Sequence, residues 1–161
     1  MKRLLSICAL AGVLTACEDP VLTERARSLG PDPGPYEEGP NHRAGFPCTW
    51  CHQKGSLSRP YFDLGGTVYA RASSDEPLPG ARVVLFDRHG KSQTLVSNQV
   101  GNFFLEEGAL ELEFPLWVKL EYQGEVTAMQ TPIFRERSCA ACHMDPANSK
   151  RAGRVYLWED P

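Results

Sequence analysis

Two five-residue segments concentrate the reactive side chains of this chain. Cys48-Thr49-Trp50-Cys51-His52 and Cys139-Ala140-Ala141-Cys142-His143 share the pattern Cys-x-x-Cys-His, and they contain every cysteine that follows residue 17. Thiols with two residues between them can bind one metal ion, form a disulfide or add to a shared organic group. The imidazole that follows directly adds a metal ligand to each segment.

The Cys-x-x-Cys-His pattern is typical of c-type haem attachment. The two segments resemble the attachment motifs of c-type cytochromes, in which both thiols form thioethers with the porphyrin and the histidine binds the iron axially. This resemblance implies two covalent haems. The residues that it assigns are Cys48, Cys51 and His52 for the first haem, and Cys139, Cys142 and His143 for the second.

Two further histidines could bind the opposite face of an iron. His42 lies six residues before the first motif, in a segment that we expect to be flexible, so it could fold onto either iron. His89 lies in a predicted turn, where contact with solvent is the more common explanation for a histidine. The chain therefore has just enough histidines for two per iron, but their spacing does not require this ligation.

The same thiols allow two other interpretations. The four thiols of the two motifs could enclose one zinc ion tetrahedrally, which would leave the adjacent histidines without a role. Each motif could instead form its own disulfide, as in thiol oxidoreductases, although those place the motif at a helix start in an α/β fold. With its loops clamped by zinc or by structural disulfides, the chain would be a non-enzymatic surface binding or structural module rather than an electron carrier.

The N-terminus has the features of a targeting segment. A short basic start precedes an apolar run over residues 4–14 that is too short to span a bilayer. The tetrapeptide ending at Cys17 (Leu-Thr-Ala-Cys) resembles a bacterial lipoprotein signal, which implies cleavage before Cys17 and lipidation of that residue. Because the next residue is Glu18 rather than Asp, the resemblance favours the outer membrane over the inner membrane.

Composition and motif content argue against several functions. The formal net charge is −3, and it becomes −5 once the two basic residues of the signal are removed, so neither nucleic acid nor anionic lipid is an expected partner. No phosphate-binding loop, serine elbow, zinc-protease motif or dinucleotide-binding glycine pattern is present. We expect an electron carrier or binding module rather than an enzyme, although an open axial position would allow weak peroxidase activity.

Residues 65–130 carry β-type patterning. Six short runs rich in β-branched and aromatic residues alternate with turns that contain Gly, Pro or Asn, and helical periodicity is almost absent. We therefore expect a mainly β fold with the architecture of a β-sandwich. A late strand within residues 153–158 is expected to rejoin it.

Three segments of this region carry a resemblance to a known family. They are residues 66–69 (Gly-Thr-Val-Tyr), 78–85 (Leu-Pro-Gly-Ala-Arg-Val-Val-Leu) and 97–103 (Ser-Asn-Gln-Val-Gly-Asn-Phe). They resemble the carboxypeptidase regulatory-like, transthyretin-related family of Ig-like β-sandwiches. The resemblance implies a fold but little about function, because such sandwiches mostly serve as spacers, binding modules or oligomer-forming units.

The expected organisation follows from these features. Residues 17–46 are rich in Pro, Gly and polar residues and predict a disordered tether. The predicted divisions are residues 1–16 (signal peptide), 17–46 (tether), 47–64 (first motif loop), 65–130 (β-sandwich) and 131–161 (second motif loop and closing strand). Together they predict a membrane-anchored dihaem electron-transfer lipoprotein of the cell envelope, with a periplasmic or surface redox protein as its partner.

Overall fold

A computed structural model describes residues 19–56, 58–144 and 152–161. Strands predominate within this part of the chain, so the mainly β prediction is confirmed. The helices are α1 (Pro20–Ser28) and α2 (Cys48–Cys51), and a 3-10 turn spans Cys139–Ala141. The strands are β1 (Phe62–Thr67), β2 (Tyr69–Arg71), β3 (Arg82–Phe86), β4 (Ser92–Val96), β5 (Asn102–Glu106), β6 (Trp117–Tyr122), β7 (Glu125–Ala128) and β8 (Tyr156–Trp158).

The strands form one larger sheet and two pairs. The sheet is antiparallel in the order β4-β3-β6-β7, and Val84 at its centre lies opposite Thr94 on one side and Lys119 on the other. Strand β1 pairs with β5 antiparallel, and β2 pairs with β8 in parallel. The late strand predicted near the C-terminus is therefore present, and it pairs with β2.

One hydrophobic core is shared by the four-stranded sheet and the two strand pairs. Its most buried side chains come from the four-stranded sheet, from the β1–β5 pair and from β8, and they include Leu64, Val83, Leu85, Phe103, Leu116 and Leu157. In the β1–β5 pair, Leu64 and Leu105 lie opposite each other and both face this core. Because side chains alternate along a strand, the neighbouring pair Gly65 and Phe104 faces outward. That outward face carries the first motif.

The tether prediction is wrong for residues 19–46. Pro20–Ser28 forms helix α1, and the Asp19 carboxylate caps it by accepting from the N–H groups of Val21 (2.8 Å) and Leu22 (3.4 Å). Further along, the Asn98 side chain donates to the Pro40 carbonyl at 2.7 Å. Composition missed the order of residues 40–45 because side chains that are distant in sequence hold them by hydrogen bonds.

The proposed signal and lipidation site, including Cys17, lie outside the described residues. Among the residues that the structure does describe, no helix has the length and apolar character needed to cross a bilayer.

Candidate functional site

The two motifs meet at strand β1. Helix α2 comprises the first four residues of the first motif and packs against β1. On the edge of β1 opposite β5, Ser138 pairs with Gly65, and the Gly65 N–H donates to the Arg137 carbonyl at 2.9 Å. The second motif begins at the next residue. Segments that are far apart in sequence therefore border the same strand.

Two adjacent glycines allow this approach. A Cβ atom placed on Gly65 would lie 3.2 Å from the Cβ of Cys48, and one on Gly66 would lie 2.7 Å from the Cβ of Cys139. Because successive strand residues face opposite sides, Cys48 and Cys139 contact opposite faces of β1. Sequence reasoning missed this role, although glycine inside a strand is a known signal of close backbone approach.

The imidazole of the first motif is oriented by the main chain. His52 is buried, and its Nδ1 lies 2.7 Å from the carbonyl oxygen of Pro60. Since a carbonyl can only accept, Nδ1 must carry the proton, and Nε2 is left with a lone pair suited to a metal. Burial lowers the pKa of His52, which favours the neutral form that a metal ligand requires.

The second motif repeats this arrangement with different residues. The Nδ1 of His143 lies 2.9 Å from the carbonyl oxygen of Gly153, which in the neutral ring selects the tautomer with a lone pair on Nε2. The Cys142 carbonyl accepts from the Ala152 N–H at 3.1 Å, which ties the residues just before β8 to the motif. A hydrogen bond from Nδ1 to a carbonyl is the usual way in which proteins orient histidine ligands of metals.

A cavity of about 360 Å³ lies on the outward face of the β1–β5 pair. This size falls within the roughly 300–1,000 Å³ typical of small-molecule and cofactor sites. The rings of His52 and Phe62 stack with centroids 4.6 Å apart, and Phe62 stacks on Phe104 at the same distance. The side chains that line the cavity include His42, Cys48, Cys51, His52, Phe62 and Phe104.

The two additional histidines occupy different places. His42 lines this cavity, and its ring centroid lies 5.6 Å from that of His52. His89 lies between β3 and β4, where its side chain is 60% exposed and its Nε2 accepts from Arg88 at 3.1 Å. It does not line the cavity, so the structure brings one of the two candidate distal ligands to the first motif.

The four cysteines of the motifs are free thiols in this structure. Burial raises the pKa of the Cys48 thiol to about 11. Burial likewise raises the pKa of Cys139 to about 12, with a further contribution from nearby Cys48. Cys142, in contrast, is exposed. The second motif therefore presents one thiol that is partly shielded and one that is exposed.

The chemistry of these groups fits covalent haem attachment. Each motif supplies two thiols and one imidazole whose Nε2 is available, and the first motif opens onto an apolar cavity. Within the described part of the chain, no group of three or more His, Cys, Asp or Glu side chains has the arrangement of a metal cluster. A porphyrin needs no such cluster, because its own nitrogens supply most of the ligands.

No protein-family model matches the chain, and neither does any curated protein or solved structure with which it was compared.

Proposed function

We propose that this chain is a dihaem c-type electron-transfer lipoprotein of the cell envelope, and that it is an electron carrier rather than an enzyme. One observation carries the proposal: both motif histidines present Nδ1 to a backbone carbonyl and leave Nε2 free. Two histidines that follow Cys-x-x-Cys motifs by chance would have no reason to share this orientation. The same orientation is what an axial ligand of iron requires.

The residues that would hold each haem follow from the motifs. Cys48 and Cys51 would attach the first haem beside His52, and Cys139 and Cys142 the second beside His143. When bound, haem supplies an iron that gains and loses one electron. The protein's own part is to orient both imidazoles and, at the first motif, to shield one face of the group with Phe62 and Phe104.

The common strand supports electron exchange between the two haems. The first motif lies on the outward face of Gly65, and the second lies against Gly66, the next residue along β1. Two cofactors attached beside neighbouring positions of one strand would be held near each other, which favours electron transfer inside one molecule. Either haem could then face a periplasmic or surface redox partner protein. Membrane attachment through Cys17 rests on the lipoprotein-like signal.

Haem staining tests this proposal. The full chain is produced in a host with c-haem maturation machinery, separated on a denaturing gel and stained for haem peroxidase activity beside an intact-mass measurement. We expect two covalent haems per chain. The variants Cys48→Ser/Cys51→Ser and Cys139→Ser/Cys142→Ser should each retain one. A colourless wild-type chain of unmodified mass contradicts the proposal. A variant that keeps both haems shows that its mutated motif is not an attachment site.

A second candidate is a non-enzymatic module clamped by zinc or disulfides. The observation in its favour is the proximity of the two motifs, since Cys48 contributes to the raised pKa of Cys139. Against it, the strand backbone lies between these cysteines, and both histidines would lack a function. Metal analysis of the purified chain separates the two: one zinc per chain without haem supports the module.

A further inference from the structure

The cavity at the first motif is lined by a second histidine, His42, whose Nδ1 is hydrogen-bonded to a backbone carbonyl as that of His52 is. The Nδ1 of His42 is hydrogen-bonded to the Gly39 carbonyl, so its Nε2 is again the nitrogen with a free lone pair. A metal–imidazole bond is about 2.0 Å long, so two imidazoles on opposite sides of one metal ion have ring centres roughly 6 Å apart. The observed separation between the His42 and His52 centroids is 5.6 Å.

A buried polar network holds the loop that carries His42, here called the His42 loop (residues 39–46). Asn102 is 5% exposed, and its Nδ2 donates to the carbonyl oxygens of Pro40 (3.2 Å) and His42 (3.1 Å). Its Oδ1 accepts from the Thr67 hydroxyl at 2.7 Å, and that hydroxyl accepts from the Gly45 N–H at 2.7 Å. The network therefore hydrogen-bonds to the His42 loop both before and after His42.

The network lies at one end of the outward face of the β1–β5 pair, next to its aromatic part. Thr67 and Asn102 lie opposite each other on the outward face of the β1–β5 pair, next to the pair formed by Gly65 and Phe104. Buried polar groups are costly unless they are hydrogen-bonded, and here every bond goes to the His42 loop or to the partner strand. These hydrogen bonds account for two buried polar residues at this end of the face.

From this geometry we infer that His42 is the second axial ligand of the iron held at the first motif, and that Asn102 and Thr67 are positioning residues for it. The inference rests on the proposed function, because it concerns the ligation of a haem attached at Cys48 and Cys51. It makes the first haem six-coordinate with two histidines. Such an iron exchanges electrons and offers no open position for a substrate.

The test compares His42→Ala with His89→Ala in the full two-haem chain. Visible and electron paramagnetic resonance spectra report the spin state of each iron. We expect His42→Ala to lose the low-spin signal of one haem per chain, and His89→Ala to keep the wild-type spectrum. Added imidazole should restore the lost signal in His42→Ala, because it can occupy the position that the side chain has left.

A separate variant tests whether Asn102 positions His42. We expect Asn102→Ala to convert part of the same low-spin signal to high spin while haem content stays at two, and imidazole should again restore it. A wild-type spectrum in His42→Ala, with two haems attached, overturns the inference and leaves the proposed function intact. A wild-type chain without covalent haem instead refutes the proposed function, so the two failures are distinguishable.

Discussion

At the scale of single residues, a hydrogen bond to a carbonyl decides what each motif imidazole can do. Pro60 and Gly153 accept from the Nδ1 atoms of His52 and His143, and in doing so they select the tautomer with a free Nε2. Neither carbonyl belongs to a motif: one precedes β1 and the other precedes β8. The orientation of both ligands therefore depends on residues that a search for Cys-x-x-Cys-His would not identify.

The first residue-scale prediction concerns the glycine pair in β1. In Gly66→Ala the new methyl group would lie 2.7–2.9 Å from Cys139 and from the Phe103 ring, so we expect a loss of about 1–3 kcal/mol in the free energy of unfolding. We also expect less haem at the second motif. Gly65→Ala is the matched control, since its contacts with Cys48 are 3.2–3.3 Å and need a smaller adjustment. Urea unfolding and haem content measure both effects.

Equal stability of the two alanine variants would contradict this prediction. Neither glycine has a positive φ, so an alanine at either position adopts its ordinary backbone conformation. The difference between them is therefore a difference in contacts alone.

The second prediction concerns the thiols of the haem-free chain. The thiolate is the reactive form, and a pKa of about 11 leaves about one Cys48 thiol in a thousand ionised at pH 8. Cys139, with a pKa of about 12, is ionised less still. We expect iodoacetamide to modify Cys142 first, and modification of Cys48 and Cys139 to rise as the pH approaches 11. Peptide mapping by mass spectrometry at several pH values checks this order, and early modification of Cys139 contradicts it.

At the scale of elements, β1 acts as a platform with a different partner on each side. On its core face, Leu64 packs in the hydrophobic core. Its outward face contacts the first motif and borders the cavity. The edge of β1 opposite β5 pairs with Ser138. One six-residue strand thus positions both motifs, and their relative position depends on the register of β1 with β5.

Helix α1 supports the first motif from outside. The Asp19 N–H donates to the Gly55 carbonyl at 3.3 Å, and Arg25 lies 5.8 Å from the centre of the Trp50 ring. We expect Asp19→Ala to destabilise the helix by about 0.5–2 kcal/mol, because it removes the N-cap. Amide hydrogen exchange over residues 20–28 should accelerate accordingly. Glu24→Ala, an exposed position inside the same helix, is the control and should leave exchange nearly unchanged.

Comparable exchange rates in Asp19→Ala and in wild type would show that contacts with the first motif, and not the cap, hold the helix. Haem content should stay at two in both variants, because α1 supplies none of the attachment residues.

At the scale of the whole molecule, the hydrophobic core keeps both motif loops in place. Leu116 is fully buried, and its N–H donates to the Ile133 carbonyl at 2.8 Å, which links β6 to the segment that leads into the second motif. We expect Leu116→Ala to cost about 2–5 kcal/mol of unfolding free energy. Val126→Ala, at a position that is 60% exposed, should cost far less. Chemical denaturation of the holoprotein measures both, and similar costs would contradict this description of the core.

Several features follow from the amino-acid sequence alone, because they depend on neighbours along the chain. The two Cys-x-x-Cys-His motifs are local patterns, and so is the strand alternation that correctly predicted a mainly β fold. The same local reasoning failed for residues 19–46. There, Pro and Gly content predicted disorder, while Asn98 and Asn102, from a distant turn and strand, bind the Pro40 carbonyl.

Only the tertiary structure decided which parts of the chain meet. The pairing of Gly65 with Phe104 on one side and with Ser138 on the other brings both motifs to β1, and these partners lie tens of residues apart. It also brought His42, but not His89, to the cavity with His52. Local patterns carry no information about such pairings, because strand register and side-chain facing are set when the sheets pack on a common core.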